Sequence, residues 1–204
     1  MTHAIFQPIT LVGEHVRIEP ATLDHASEMA GTFDDDTFRW FFRTAIPGDA
    51  ESCAAYLRAL IDEDKTVPFS LFDARTNEYI GGTSYCDIRA PHRGVEVGWT
   101  WIAPPHRRKV VNPEMKLLLL RHAFETPLFA GGSAIRVMLK THHLNERSRG
   151  AILKLGAKQE GILRNHVLMP NGTLRHSVVY SITPEEWPDV RAGLEARIAV
   201  FSRS

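Results

Sequence analysis

The residues best suited to chemistry lie where a strand pattern gives way to a helix. His106, Arg107, Arg108 and Lys109 form a cationic run, followed by Val110 and Val111. Asn112-Pro113-Glu114 then reads as a helix start. Asn112 can cap the first turn, Pro113 sits where a missing N–H costs nothing, and Glu114 lies near the positive end of the helix dipole. Cations delivered to a helix N-terminus hold an anion, and a phosphate in particular. Before the loop, Val95, Val97, Trp99 and Trp101 alternate with Glu96, Gly98 and Thr100, the period-two pattern of a strand with one apolar face. Strand, basic loop and helix in succession are therefore predicted over Gly94 to Glu125, with Leu117 to Leu120 and Phe124 as the buried middle of the helix.

Composition restricts what this anion site belongs to. A chain of 204 residues suits one large domain that buries roughly 70% of its unfolded surface. Lysine plus arginine number 24 and aspartate plus glutamate 24, so the formal net charge is +0 and the basic loop is a local feature. That balance argues against a nucleic-acid partner, as does the lack of basic residues interleaved with aromatics in any motif. Cys53 and Cys86 have neither metal-ligand spacing nor the density of a secreted framework, which predicts buried thiols in a reducing cytoplasm. The N-terminus lacks a charged segment followed by a long apolar run. No apolar stretch approaches the roughly 20 residues of a membrane span, so a soluble, cytoplasmic protein with no membrane partner is expected.

The surrounding elements follow from periodicity. A strand is predicted over His15 to Glu19 and a helical segment from Thr22. Arg39 to Ile46, with Trp40, Phe41 and Phe42, is too irregular to assign and either walls a pocket or packs over the core. Asp49 caps a helix that buries Cys53, Tyr56, Leu57, Leu60 and Ile61. Val67 to Asp73 and Tyr79 to Ile88 form an antiparallel hairpin, with Val95 to Ile102 as a third partner. Ala134 to Thr141 is a further strand, with Ile135, Val137 and Leu139 on one face. Strand, helix, strand implies a parallel crossover. Asn145 to Leu155 is a helix closed by Gly156, and Asn171-Gly172 joins a final hairpin of Gly161 to Met169 and Thr173 to Ile182. Thr183 and Glu186 have capping-box spacing, but Pro188 is taken as the start of the last helix. His142 and His143 offer a base or a substrate contact, but, adjacent on a strand, they point to opposite faces and form no metal site by themselves.

The motifs EVGWTWIAP, NPEMK, NERSRGAILKLGA and MPNGTLRHSVVYSI, in this order of elements, resemble the GNAT superfamily of acetyl-CoA-dependent N-acetyltransferases, and within it the RimJ/RimL-like ribosomal-protein alanine acetyltransferases. The resemblance implies an α/β fold in one domain, with a mixed, mostly antiparallel sheet flanked by helices. Its central parallel pair splays to admit the pantetheine arm of the cofactor. It implies acetyl transfer to a primary amine, either a protein N-terminus or a small molecule, and it allows for a homodimer. Contacts to acetyl-CoA are implied from Trp101 and Ile102, from Arg107, Arg108, Lys109, Val110, Val111 and Asn112, and from Asn145 and Ser148.

Similar enzymes place a carboxylate or a water-relaying group in this region to accept the amine proton, a role that falls to Glu96; the alternative is a solvent-facing or arginine-paired glutamate. Ser148 matches a serine whose hydroxyl serves the departing thiolate, or is an ordinary first-turn residue, while Asn145 either contacts the pantetheine, caps the helix, or does both. Two departures stand out. The position where many relatives carry a tyrosine is Ile152, and the phosphate loop has no glycine, since the matching positions are Arg108 and Val110. A β-branched residue at a position requiring positive φ costs about 1 to 3 kcal/mol. The alternative function is a catalytically silent binding or interaction protein with a weakened cofactor site.

Overall fold

The computed structural model describes residues 4–42 and 48–201. Along the chain come β1 (Leu11–Val12), β2 (Val16–Pro20), α1 (Ala26–Met29), α2 (Ala50–Ile61), β3 (Val67–Asp73), β4 (Tyr79–Arg89) and β5 (Gly94–Ile102). Then follow α3 (Val111–Glu125), β6 (Arg136–His142), α4 (Glu146–Leu155), β7 (Lys158–Leu168), β8 (Leu174–Ile182) and α5 (Trp187–Phe201). The eight strands make one sheet in the order β1-β2-β3-β4-β5-β6-β8-β7. Only β5 and β6 run parallel, joined through α3, so the mixed α/β architecture is the one the sequence predicts. No helix among the described residues is long and apolar enough to cross a membrane.

Each face of the sheet carries its own core. Leu71 belongs to a cluster with Val95, Val97, Met115, Leu119, Leu120 and Trp187, beneath α3 and α5. Its strand neighbour Phe72 points the other way, into a cluster with Phe38, Cys53, Tyr56, Leu57 and Trp101 beneath α1 and α2. Cys53 and Cys86 are free, buried thiols.

The predicted single apolar face of β5 is corrected here. Opposite Thr83 of β4 the strand carries two residues, Trp99 and Thr100, and Trp99 has φ 52°. This bulge inverts the alternation, so Val95 and Val97 pack in the first core and Trp101 in the second.

The start of α3 also differs from expectation. Val110 is already helical (φ −64°, ψ −24°) and accepts from the N–H of Glu114 at 3.0 Å, so Asn112 is the second residue of the helix and not its cap. Glu114 has a further role. Its carboxylate accepts from the backbone N–H groups of Glu14, His15 and Val16 at 2.9, 2.8 and 2.7 Å. A Cβ on Gly13 would lie 2.6 Å from that carboxyl carbon, so the turn between β1 and β2 closes over it only with glycine there.

Other predicted ends hold with small shifts. The Asp49 side chain caps α2 by accepting from Ser52 N, and Gly156 ends α4 at φ 98°. Ile61 and Ile135 are exposed where burial was expected, each lying at or beyond the end of its element. The last helix begins at Trp187, one residue before Pro188, with Glu186 accepting from Thr183 N at 3.0 Å.

Candidate active site

β5 and β6 pair over three residues only: Gly94 with Arg136, Val95 with Val137, and Glu96 with Met138. Beyond that rung β5 continues along β4 and β6 along β8, and a gap opens between them. The bulge at Trp99 adds twist to β5 just past the parting point.

The basic loop follows the end of β5. The guanidinium of Arg107 is fully engaged: Nε donates to Ile102 O at 2.9 Å, Nη1 and Nη2 fork onto Asp34 at 2.8 and 2.9 Å, and Nη2 also reaches Thr37 Oγ1 at 2.5 Å. Arg107 holds the Asp34 carboxyl well below the usual carboxylate range. It therefore anchors the loop to the chain after α1. Arg108 and Lys109 have no hydrogen-bond or ion-pair partner among the described residues, and the backbone N–H groups of residues 108–112 donate to none of them. Five consecutive free donors at the start of a 15-residue helix have the arrangement that suits an anion. Positive φ falls on Arg108 (61°), while Val110 is in the right-handed region, so the β-branched penalty anticipated from sequence does not arise.

Glu96 is 7% exposed and lies where the strands part. Its Oε2 is 2.7 Å from Lys140 Nζ, a lysine partner where an arginine or solvent had been the alternatives. Burial raises its pKa, and the Lys140 charge partly opposes that rise. Next to it Gly98 leaves room: a Cβ there would lie 2.8 Å from Cys86 Sγ and 3.0 Å from Glu96 Oε1. Trp101 packs its indole against Phe33, Phe38 and Tyr79 in the second core, and its backbone pairs with Gly82 of β4. Ile102 packs against the first core and uses its carbonyl to hold Arg107.

On α4 the Asn145 side chain is the helix cap, accepting from Ser148 N at 3.0 Å. The Ser148 hydroxyl has no partner among the described residues. Ile152 is buried in the first core.

Two cations of this region, Lys140 and Arg175, escaped the sequence reading, and the expected facing of its two histidines is corrected. The rings of His142 and His143 stack 4.7 Å apart, 17° from parallel, and do not face opposite ways, because β6 ends at His142 and His143 enters a turn. Trp40 lies 4.7 Å from His142 and Phe42 4.7 Å from Trp99, so these aromatics wall the site while Phe38 and Phe41 pack over the second core. Residues 43–46 of that predicted segment lie outside the described residues. Burial, then the charges of His143, Arg175 and His176, lower the His142 pKa to about 4. Arg175 and Lys140 carried no local signal, being single cations on strands far apart in sequence.

The family model described as an acetyltransferase (GNAT) domain matches residues 15–158. An uncharacterized N-acetyltransferase of Bacillus subtilis (strain 168), YoaA, is 31% identical over 124 residues, 61% of this chain. That match spans 66% of YoaA, just under two thirds of its length. A candidate acetyltransferase from T. thermophilus is 36% identical, with a TM-score of 0.84 over 94% of this chain and 98% of its own. Mycobacterium smegmatis RimJ, solved with CoA-disulfide, is 18% identical and shares the fold, with a TM-score of 0.75 over 96% of this chain and 97% of its own. The chain belongs to the GNAT acetyltransferase family.

Proposed function

We propose that the protein transfers an acetyl group from acetyl-CoA directly to a primary amine. The observation that carries this reading is the gap between β5 and β6 opening beside five unpartnered backbone N–H groups at the start of α3. Those donors, with the side chains of Arg108 and Lys109, suit a pyrophosphate, and the gap suits the pantetheine arm. Acetyl-CoA supplies the acetyl group as a thioester. Glu96 takes the proton that the acceptor ammonium must lose before its nitrogen bonds to the acetyl carbon; burial suits the carboxylate to this by raising its pKa. As the carbon–sulfur bond breaks, the Ser148 hydroxyl is the free donor for the leaving sulfur. Arg107 fixes the loop that presents the cradle. A protein N-terminal amine is the acceptor favoured by the RimJ-like resemblance.

Calorimetric titration with acetyl-CoA tests the site. Micromolar binding is expected, weakened about 10-fold or more when Arg108 and Lys109 are both changed to alanine. Glu96→Gln should lower kcat at neutral pH by about 100-fold or more with little change in acetyl-CoA affinity. Absence of binding up to millimolar acetyl-CoA would overturn the reading.

A further inference from the structure

Arg175 on β8 is 7% exposed, yet its guanidinium has no carboxylate within ion-pair distance among the described residues. Nε donates to Ser177 Oγ at 2.9 Å and Nη1 to the Trp40 carbonyl at 3.2 Å, while the Phe42 ring lies 5.2 Å from Cζ. Nη2 makes no hydrogen bond among the described residues and is not a sealed atom, so it faces accessible space.

The neighbouring charges leave Arg175 in excess. Lys140 is paired with Glu96 at 2.7 Å, and Arg89 with Asp87 at 2.8 Å. Burial, and then neighbouring groups that include Arg175, lower the pKa of His142 and His166, so neither ring supplies charge at neutral pH. Glu96 is close enough to Arg175 for their charges to interact, but it is already committed to Lys140. A buried cation without a counter-ion is unfavourable, and an incoming anion offsets that cost. One surplus positive charge and one open nitrogen, Nη2 with its two N–H groups, fit a carboxylate better than a phosphate dianion.

We propose that Arg175 receives a carboxylate carried by the acceptor. The acceptor is then an amine with a carboxylate a few bonds away: a free amino acid through its α-carboxylate, or a chain beginning with aspartate or glutamate. This assignment rests on the acetyl-transfer reading of the site.

Matched pairs of amines test it in acetyl-CoA turnover: L-alanine against L-alaninamide, and Asp-Ala-amide against Asn-Ala-amide. The carboxylate-bearing member of one pair is expected to have a kcat/KM about 10- to 100-fold higher. Which pair responds identifies the source of the carboxylate. Arg175→Gln should bring that ratio close to one, mainly through KM, and Arg175→Lys should retain part of it. A ratio near one in both pairs for the wild-type protein, which needs no variant to fold, overturns the proposal, as does an unchanged ratio in Arg175→Gln. If no amine is acetylated, acetyl transfer itself fails, and calorimetric titration with N-acetyl-L-alanine and N-acetyl-L-aspartate decides the anion site alone. Binding lost in Arg175→Gln would keep it; no binding would remove it.

Discussion

The ammonium of Lys140 on β6 sits 2.7 Å from the carboxylate of Glu96 on β5, bridging the point where the two strands part. Two opposed effects meet there. Burial pushes the Glu96 pKa up and Lys140 pulls it down. Removing the lysine leaves burial opposed only by the weaker influence of Arg175, so in Lys140→Met the carboxyl should lose its proton only at higher pH. The acid limb of the kcat profile should move upward by about one unit or more, with activity recovered at alkaline pH. An unmoved limb would mean that Glu96 is not the group whose ionisation controls turnover.

Arg108 occupies the left-handed region at φ 61°. Side chains with a Cβ are disfavoured there by about 1–2 kcal/mol, and glycine is not. Arg108→Gly and Arg108→Ala lose the same cation, so the difference between them isolates the backbone contribution. The glycine variant should be the more stable by about 1 kcal/mol in urea unfolding, the reverse of the order found in helices. Equal stabilities would show that the loop relaxes out of this conformation.

Lys116 on α3 is 7% exposed, and among the described residues its ammonium makes one hydrogen bond, to Thr100 Oγ1 at 3.3 Å. Burial lowers its pKa to about 8 from the usual 10.5. Between those values the unfolded chain binds the extra proton, so this group makes stability rise with pH from about 8 to about 10.5. Lys116→Met should raise stability at pH 7 by about 1–3 kcal/mol and abolish the alkaline rise. Unfolding midpoints at neutral pH and near pH 10 check both; a lower midpoint at neutral pH would mean that the Thr100 contact outweighs the burial cost.

Element order was readable from periodicity because the strands carry long apolar runs and the turns carry Asn77, Asn171-Gly172 and Gly156. The basic loop leading into the start of α3 was readable too, since its parts are consecutive residues. What stayed hidden depends on contacts between distant segments. The fork of Arg107 is occupied by Asp34 and Thr37, about 70 positions earlier, and nothing local marks them. The parity of Trp101 was misread because a bulge at Trp99 leaves no trace in an apolar alternation. Glu114 looked like a dipole partner, and its three backbone donors lie about 100 residues away.

That last contact limits how the protein can be dissected. A fragment trimmed to the family match, residues 15–158, would keep α3 but lose Glu14, one of the donors held by the Glu114 carboxylate. It would also lose β8, which lies between β6 and β7 in the sheet, and strip one long side of β6 of its hydrogen bonds. The span recognisable by likeness is therefore shorter than the span that must fold together, and the cradle at the centre of the chain is stabilised from both of its ends.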